Sequence, residues 1–342
     1  MPFSVSVCIP LYSGSHLLPL ALESLARQRY SISEVIIGDD NPAPASQESA
    51  KCREIAESFV SRLPIIYHRN PSNLGYAKNL KNLAGLARAD IIFLLAQDDI
   101  LSEDALVRTM GAFELDPDVG VVTRPYYWFM TSVDQPVRAI PPYDPKADEV
   151  LTLLQSKEAF LSVFSSVGQL SGLAYRREFL TVPFNEEVFP AHIYPFAGIW
   201  RDHKCVFLKD YTVAVGILDS QTRSVSSIYD LSPTESWLRM YRTVFGAPQY
   251  AQAKAWGEAH MTTNFIGLVQ LKNYAKRGAL AKEICILLRE RPLNWIDARF
   301  WFFALGSITI PRPVLRWLVD LYKARLHRKS LPGISFRPAM KS

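Results

Sequence analysis

Two acidic pairs in this sequence, Asp39-Asp40 and Asp98-Asp99, each close a short apolar run, EVIIG and DIIFLLAQ. Carboxylates at such positions are costly to bury without a counter-charge. A divalent cation bridging to a diphosphate supplies one, because Mg²⁺ and Mn²⁺ take oxygen ligands, commonly one or two carboxylates plus phosphate oxygens. Asp98-Asp99 therefore reads as a metal-binding pair, set against a solvated turn with a helix cap. Asp39-Asp40 reads as an acceptor for ribose hydroxyls or a base N–H, set against an ordinary turn made by Asp40-Asn41-Pro42. Between the pairs lies Asn70-Pro71-Ser72-Asn73-Leu74-Gly75, with Lys78 and Asn79 just beyond it. Gly75 allows close backbone approach, and a lysine on the first turn of a helix suits a phosphate.

These residues need a frame that holds them on one edge. Short β-branched runs at 4–10, 34–38, 64–68, 90–95 and 119–123 read as strands. They alternate with amphipathic stretches at 16–28, 46–62 and 76–87, which read as helices. Ser102 is the expected cap of the helix that follows Asp98-Asp99. Alternation of this kind predicts an α/β fold with a mostly parallel sheet covered on both faces. Ligands of such sheets bind beyond the carboxyl ends of the strands, where both acidic pairs fall. The proline- and aromatic-rich stretch 124–145 reads as a loop or excursion. Residues 156–165 read as a helix and 169–175 as a strand. Residues 193–209 read as a helix at least from Trp200, and 212–217 as a strand. From 232 onward the chain reads as helical.

The 342 residues, half of them apolar (49%), suffice for one large domain or two and exclude a disordered chain. A net charge of +5 suits an anionic ligand or a membrane surface without demanding nucleic acid. Cys8, Cys52, Cys205 and Cys285 show no metal-binding spacing, as expected of thiols in a reducing compartment. The amino terminus shows no signal-peptide pattern and no run is long enough to span a bilayer, so a cytoplasmic placement is expected.

In their order and spacing, SVSVCIPLYSG (4–14), EVIIGDDN (34–41), NPSNLGYAKNLKNLAGLARADIIFLLAQDDIL (70–101) and WRDHK (200–204) resemble the family 2 inverting glycosyltransferases of GT-A fold. The resemblance covers roughly residues 4–225. It implies a transferase domain over 1–225, with a nucleotide-sugar half (1–123) and an acceptor half (124–225), followed by a helical region over 226–342. It also implies a nucleotide-diphosphate-sugar donor, a saccharide or lipid-linked saccharide acceptor, Mg²⁺ or Mn²⁺ as cofactor, and a place in cell-envelope polysaccharide synthesis. Carried over residue by residue, Pro10 and Tyr12 line the nucleoside pocket. Asp40, with Asp39 beside it, contacts base or ribose. Asn73, Gly75, Lys78 and Asn79 form the donor segment, and Asp98 and Asp99 end the metal motif. Asp202 matches the catalytic base that takes the acceptor's proton, with Asp219 and Glu186 in reserve. Gln221 and Arg223 are weaker candidates for the metal or diphosphate, as are His192 and His203 for the metal.

Two departures stand out: Ala96 replaces an aspartate that many members carry, and Ser13 replaces a common asparagine. Ala96 leaves open a degenerate nucleotide-sugar binder of the same fold. A nucleotidyltransferase is disfavoured, because the loop at 11–16 has one glycine and no lysine or arginine. Residues 291–329 interleave aromatics with arginine and lysine. Such a segment lies in a membrane interface, here the inner face of the cell membrane, or packs as a pair of helices on the catalytic domain.

Overall fold

The computed structural model describes residues 2–41, 47–186, 191–217, 231–276, 278–326, 331 and 333–339. It divides into two compact units, Met1–Asp219 with Leu331–Ser342, and Ser220–Ser330.

The first unit is built on an eight-stranded sheet in the order β3-β2-β1-β4-β10-β6-β11-β9. Strands β1 (Val5–Leu11), β2 (Glu34–Asp39), β3 (Ile65–Arg69) and β4 (Ile91–Leu94) run parallel. Their register aligns Leu11 with Asp39 and Asp39 with Arg69, so the strands end together. β6 (Val119–Thr123) and β11 (Lys204–Phe207) run the same way, across the antiparallel β10 (Ala174–Arg176), and β9 (Glu149–Leu151) closes the edge. Inner strands buried on both faces read as unbroken apolar runs, and VSVCIPL and IIFL are such runs.

Helices α1 (Leu18–Ala26), α2 (Gln47–Ser58), α3 (Tyr76–Leu86) and α4 (Ala105–Glu114) make the crossovers. Each turns its apolar positions to the sheet, as Leu18, Ala21, Leu22 and Leu25 of α1 show. α5 (Lys157–Ser166) is capped by Ser156, whose hydroxyl accepts from the Ala159 N–H at 3.0 Å. Ser102 does not cap α4. Its hydroxyl instead donates to Asp104, the residue at the N-cap position.

The stretch 124–145 is not a plain loop. It contributes β7 (Tyr126–Phe129) and β8 (Pro136–Ile140) to a second sheet, in the order β5-β12-β7-β8 with β5 (Ile100–Leu101) and β12 (Val213–Gly216). The aromatic run YYWF alternates between two cores, Tyr127 and Phe129 joining Ile100 and Ala214 while Tyr126 and Trp128 join the core of the large sheet.

The end of the chain also differs from the sequence reading, which placed it with the helical region. Ala339 N–H donates to the Leu101 carbonyl at 3.1 Å and Glu103 N–H to the Arg337 carbonyl at 3.1 Å. The tail therefore adds extended backbone beside β5, and Phe336 packs edge-on against Tyr127 at 5.2 Å between ring centres. Phe336→Ala is expected to cost about 2 kcal/mol in chemical denaturation, since the ring is only partly buried. An unchanged midpoint would mean that the tail contributes nothing there.

The second unit is helical: α7 (Pro233–Val244), α8 (Ala251–Thr263), α9 (Ile266–Tyr274), α10 (Ala279–Glu290), α11 (Ala298–Thr309) and α12 (Arg312–Leu326). One of its cores joins Phe265, Leu268, Leu287, Phe300 and Ala304. No described helix is long and apolar enough to cross a membrane.

Candidate active site

Four loops meet beyond the carboxyl ends of β1 to β4. Side-chain amides and carboxylates join them to one another. The Gln97 amide pairs with both backbone groups of Tyr12, accepting from its N–H at 2.8 Å and donating to its carbonyl at 2.9 Å. A Cβ on Gly14 would run into that amide and push it off Tyr12. Asn41 Oδ1 accepts from Ser13 N–H at 2.9 Å and holds Ser13 at φ +50°, a left-handed conformation that few non-glycine residues adopt.

Asp39 is buried and enclosed by donors. Its carboxylate accepts from Asn41 N–H (3.0 Å) and Nδ2 (2.6 Å), Tyr67 hydroxyl (2.9 Å) and Ser49 hydroxyl. Arg69 Nη1 stands at 3.5 Å. Burial alone raises the pKa of this group, but the bonds from Ser49, Asn41 and Tyr67 outweigh it and hold the carboxyl below its ordinary value. Asp40 is also buried. It accepts from Asn70 Nδ2 (3.0 Å) and from the N–H groups of Leu74 (2.7 Å) and Gly75 (2.8 Å). Gly75, at φ +79°, can turn its N–H to Asp40 because it lacks a Cβ.

Both acids thus organise the loops, and their oxygens are committed to protein donors. Asn79 is likewise internal, donating to the Gly38 carbonyl at 2.8 Å and accepting from Asn70 at 2.9 Å. The donor-segment residues turned to solvent are Tyr12, Asn73, Gly75 and Lys78, with Pro10 half-buried.

The second acidic pair divides its roles. Asp99 is buried, accepting from Ser171 hydroxyl at 2.5 Å and Gly216 N–H at 3.0 Å. Burial, and then the charge of Asp98, push its carboxyl well above the ordinary carboxylate range. Ser171, Gly216 and the nearby Arg124 oppose that rise. Arg124 is itself fully buried, held by the carbonyls of Ser166 (3.0 Å) and Gln169 (2.9 Å). Desolvation lowers its pKa to about 10, which leaves it charged at neutral pH. Asp98 is half-buried at the site edge. Metal binding by Asp98 and Asp99 together is therefore not what this geometry favours: each Asp99 oxygen already has a protein donor.

The structure does not bring Asp202 to this edge. The expected helix through Lys209 ends instead at Asp202: α6 spans Ile193–Asp202, and the KCVF run that follows is β11. A helix that leads into a parallel strand finishes at the amino edge of the sheet. The neighbours agree, since His203 Nδ1 lies 2.8 Å from Asp118 and Lys204 Nζ 2.5 Å from Asp116, both ahead of β6. Asp202 is exposed there and paired with Arg201 at 2.6 Å.

Neither histidine is placed as a ligand. His203 stacks on Phe179 at the amino edge, 3.7 Å between ring centres. His192 is at the carboxyl edge but buried and committed. It donates Nε2–H to the Val167 carbonyl at 2.9 Å, which leaves Nδ1 to accept from Tyr76 hydroxyl at 3.1 Å. Burial lowers its pKa to about 4, so it is neutral. Gln221, Arg223 and Asp219 lie outside the described residues. Glu186 pairs with Lys81 of α3 at 2.6 Å, one turn beyond Lys78 on the same face.

Sequence reasoning misses Gln97 and Asn41, which join the loops. The available signal was an amide beside each acidic pair. Gln97→Ala is expected to raise the KM for donor roughly tenfold with a smaller change in kcat, because it frees the Tyr12 loop that faces solvent. Steady-state kinetics would show it, and an unchanged KM would refute the positioning role.

The Glycosyl transferase family 2 model matches residues 6–168. Abequosyltransferase RfbV of Salmonella typhimurium is 28% identical over 122 residues, 35% of each chain. Glycosyltransferase GlyG of Streptococcus pneumoniae is 26% identical over 126 residues, 36% of this chain and 39% of that one. The chain spans little more than a third of the length of these curated relatives. Among solved structures, S. aureus TarS 1-349 in complex with UDP-GlcNAc superposes with a TM-score of 0.65 at 16% identity, covering 96% of this chain and 91% of that one. Mannosyltransferase PcManGT from Pyrobaculum calidifontis, in complex with GDP-Man and Mn²⁺, has a TM-score of 0.54 at 14% identity, covering 94% and 88%. Residues 6–168 are therefore a glycosyltransferase family 2 domain, and the first unit of the chain carries the GT-A fold.

Proposed function

We propose that the protein is an inverting glycosyltransferase that moves a sugar from a nucleotide-diphosphate-sugar to a saccharide or lipid-linked saccharide acceptor, in cell-envelope polysaccharide synthesis. The observation that carries this reading is the half-buried Asp98 at the carboxyl end of β4, on the edge that also presents Tyr12 and the lysine-bearing start of α3. The complexes of TarS with UDP-GlcNAc and of PcManGT with GDP-Man support the donor class. The name of RfbV supports the envelope setting.

Among the described residues no group of three acids, histidines or cysteines stands together, so a divalent ion would have one protein carboxylate here and would depend on the donor for its other ligands. Asp98 offers carboxylate oxygen, Asp99 does not, and the donor's phosphate oxygens would complete the coordination of Mg²⁺ or Mn²⁺. When bound, such an ion neutralises charge on the departing diphosphate. Lys78 and the first turn of α3 add a cation and N–H groups to the same task. Tyr12 offers a ring to the nucleoside. With Asp202 at the opposite edge, Glu186 takes the role of base in this reading. It sits on the approach to α6, beside the α3 face that carries Lys78. A lipid-linked acceptor would bring the protein to a membrane surface, and the exposed aromatics of 291–322 support contact there.

Release of nucleoside diphosphate from a panel of nucleotide-sugars, with and without Mn²⁺, tests the proposal. Release from at least one donor, lost in Glu186→Gln, is expected. Donor binding without release under any condition would favour the degenerate binder that Ala96 leaves open.

A further inference from the structure

The second unit carries a cationic cavity beside an exposed apolar face. α9, α10 and α12 enclose a cavity of about 400 Å³ lined by Leu271, Lys272, Lys276, Gly278, Leu280 and Arg312. Three of these six residues are cations and none is an acid. Lys272 Nζ donates to the Ile308 carbonyl at 3.2 Å, and Arg312 donates to the carbonyls of Lys272 (2.8 Å) and Ala275 (3.0 Å). Carbonyl oxygens position a cation without cancelling its charge. α10 starts at this cavity, with Gly278 at its N-cap and no side chain capping it, so its first N–H groups add positive potential.

An apolar face adjoins the cavity at Ile308. α11 buries Phe300, Ala304 and Ser307 but presents Phe302 (75% exposed), Leu305 and Ile308 to solvent. α12 presents Val314, Trp317 (61% exposed) and Tyr322 in the same way. Arg316 lies between Leu315 and Trp317 in the sequence, with its guanidinium over the Tyr274 ring at 5.5 Å. Large side chains exposed in this number mark a contact surface rather than chance. Tryptophan, tyrosine and arginine are the residues favoured where hydrocarbon meets headgroups.

We propose that this face docks on a membrane containing anionic phospholipid, with a lipid phosphate held in the cavity by Lys272, Lys276 and Arg312. Charge complementarity selects this occupant. A second copy would set two cationic cavities near one another, whereas an anionic bilayer neutralises the cavity and takes up the aromatic side chains. This docking deepens the membrane contact proposed above, and vesicle flotation reads it apart from sugar transfer, so either can fail alone.

Flotation of the full-length protein with vesicles tests it. One set is neat phosphatidylcholine and the other is phosphatidylcholine containing phosphatidylglycerol. Binding to the anionic vesicles, at least about tenfold above the neutral ones, is expected. The double variant F302S/W317S exchanges exposed residues and leaves the cores intact. It should lose about tenfold or more in partitioning. Lys276→Glu, also exposed, should lose several-fold on anionic vesicles and nothing on neutral ones. Inorganic phosphate at millimolar concentration should displace little protein, because it supplies no hydrocarbon. The proposal is overturned if both vesicle types bind alike, if neither binds, if the variants float as the unmodified protein does, or if phosphate alone strips the protein off. It is equally overturned if the aromatic variant instead abolishes a dimer seen by light scattering.

Discussion

Replacing Asp98 by alanine is expected to lower sugar transfer at least about a hundredfold, while the melting temperature stays within a degree or two of the unmodified protein. The size follows from removing one preorganised charge that acts on the leaving diphosphate. The preserved stability follows from place. Asp98 is half-buried at the site edge, and the buried bonds that tie the loops together there include those of Gln97 to Tyr12 and of Asp99 to Ser171 and Gly216. Asp202→Asn, at the amino edge, is expected to leave transfer within about twofold, since that exposed carboxylate pairs with Arg201 away from the loops that end β1 to β4. Activity assays on the two variants side by side, with thermal melts as controls, separate the edges. A large loss in Asp202→Asn with little loss in Asp98→Ala would reverse the assignment.

Asp39→Asn is expected to destabilise the first unit by about 3 kcal/mol, although it changes a single atom type. The side chain accepts from Asn41, Ser49 and Tyr67, and an amide nitrogen turned toward them would set donor against donor in a buried place. The effect depends on pH in a definite sense. Asp39 has its pKa held below the ordinary carboxylate value in the folded state. Its contribution is therefore full above the unfolded pKa, near about pH 4, and is lost as pH falls through the folded value. The stability gap between Asp39→Asn and the unmodified protein should be widest at neutral pH and should narrow below about pH 4. Urea titrations at pH 7, 5 and 3.5 would show this. A gap that widens in acid would contradict the assigned network.

Much of the frame is legible in the sequence, because its signals are local. The short, β-branched runs SVSVCIP and DIIFLL read as buried strands, and β1 and β4 match them to within a residue or two at each end. Both acidic pairs stand at strand carboxyl ends for the same reason. What the sequence does not disclose is that both members of the first pair, and Asp99 of the second, are committed to protein donors. Asp39 and Asp99 turn inward because donors from distant segments meet them. Ser171 and Gly216 reach Asp99 from 72 and 117 residues away. No local pattern announces such partners.

The reading of Asp202 fails for a different reason. The stretch 193–209 reads as helical at least from Trp200, whereas the helix ends at Asp202 and the short apolar KCVF run that follows is a strand, which periodicity alone does not separate from a helix. That error in direction moves the residue from one edge of the sheet to the other. Ser13 shows another fact that no local pattern announces: its φ of +50° is a conformation that asparagine tolerates better than serine, so this turn carries backbone strain.

We propose that the donor's diphosphate is held at the carboxyl edge through Asp98 with a divalent ion. Calorimetric titration of UDP, GDP and dTDP, each with and without Mn²⁺, into the unmodified protein and Asp98→Ala decides it. At least one diphosphate is expected to bind only when Mn²⁺ is present, and Asp98→Ala to weaken this binding about tenfold or more. Equal affinity in the two proteins, or binding indifferent to the ion, would contradict it.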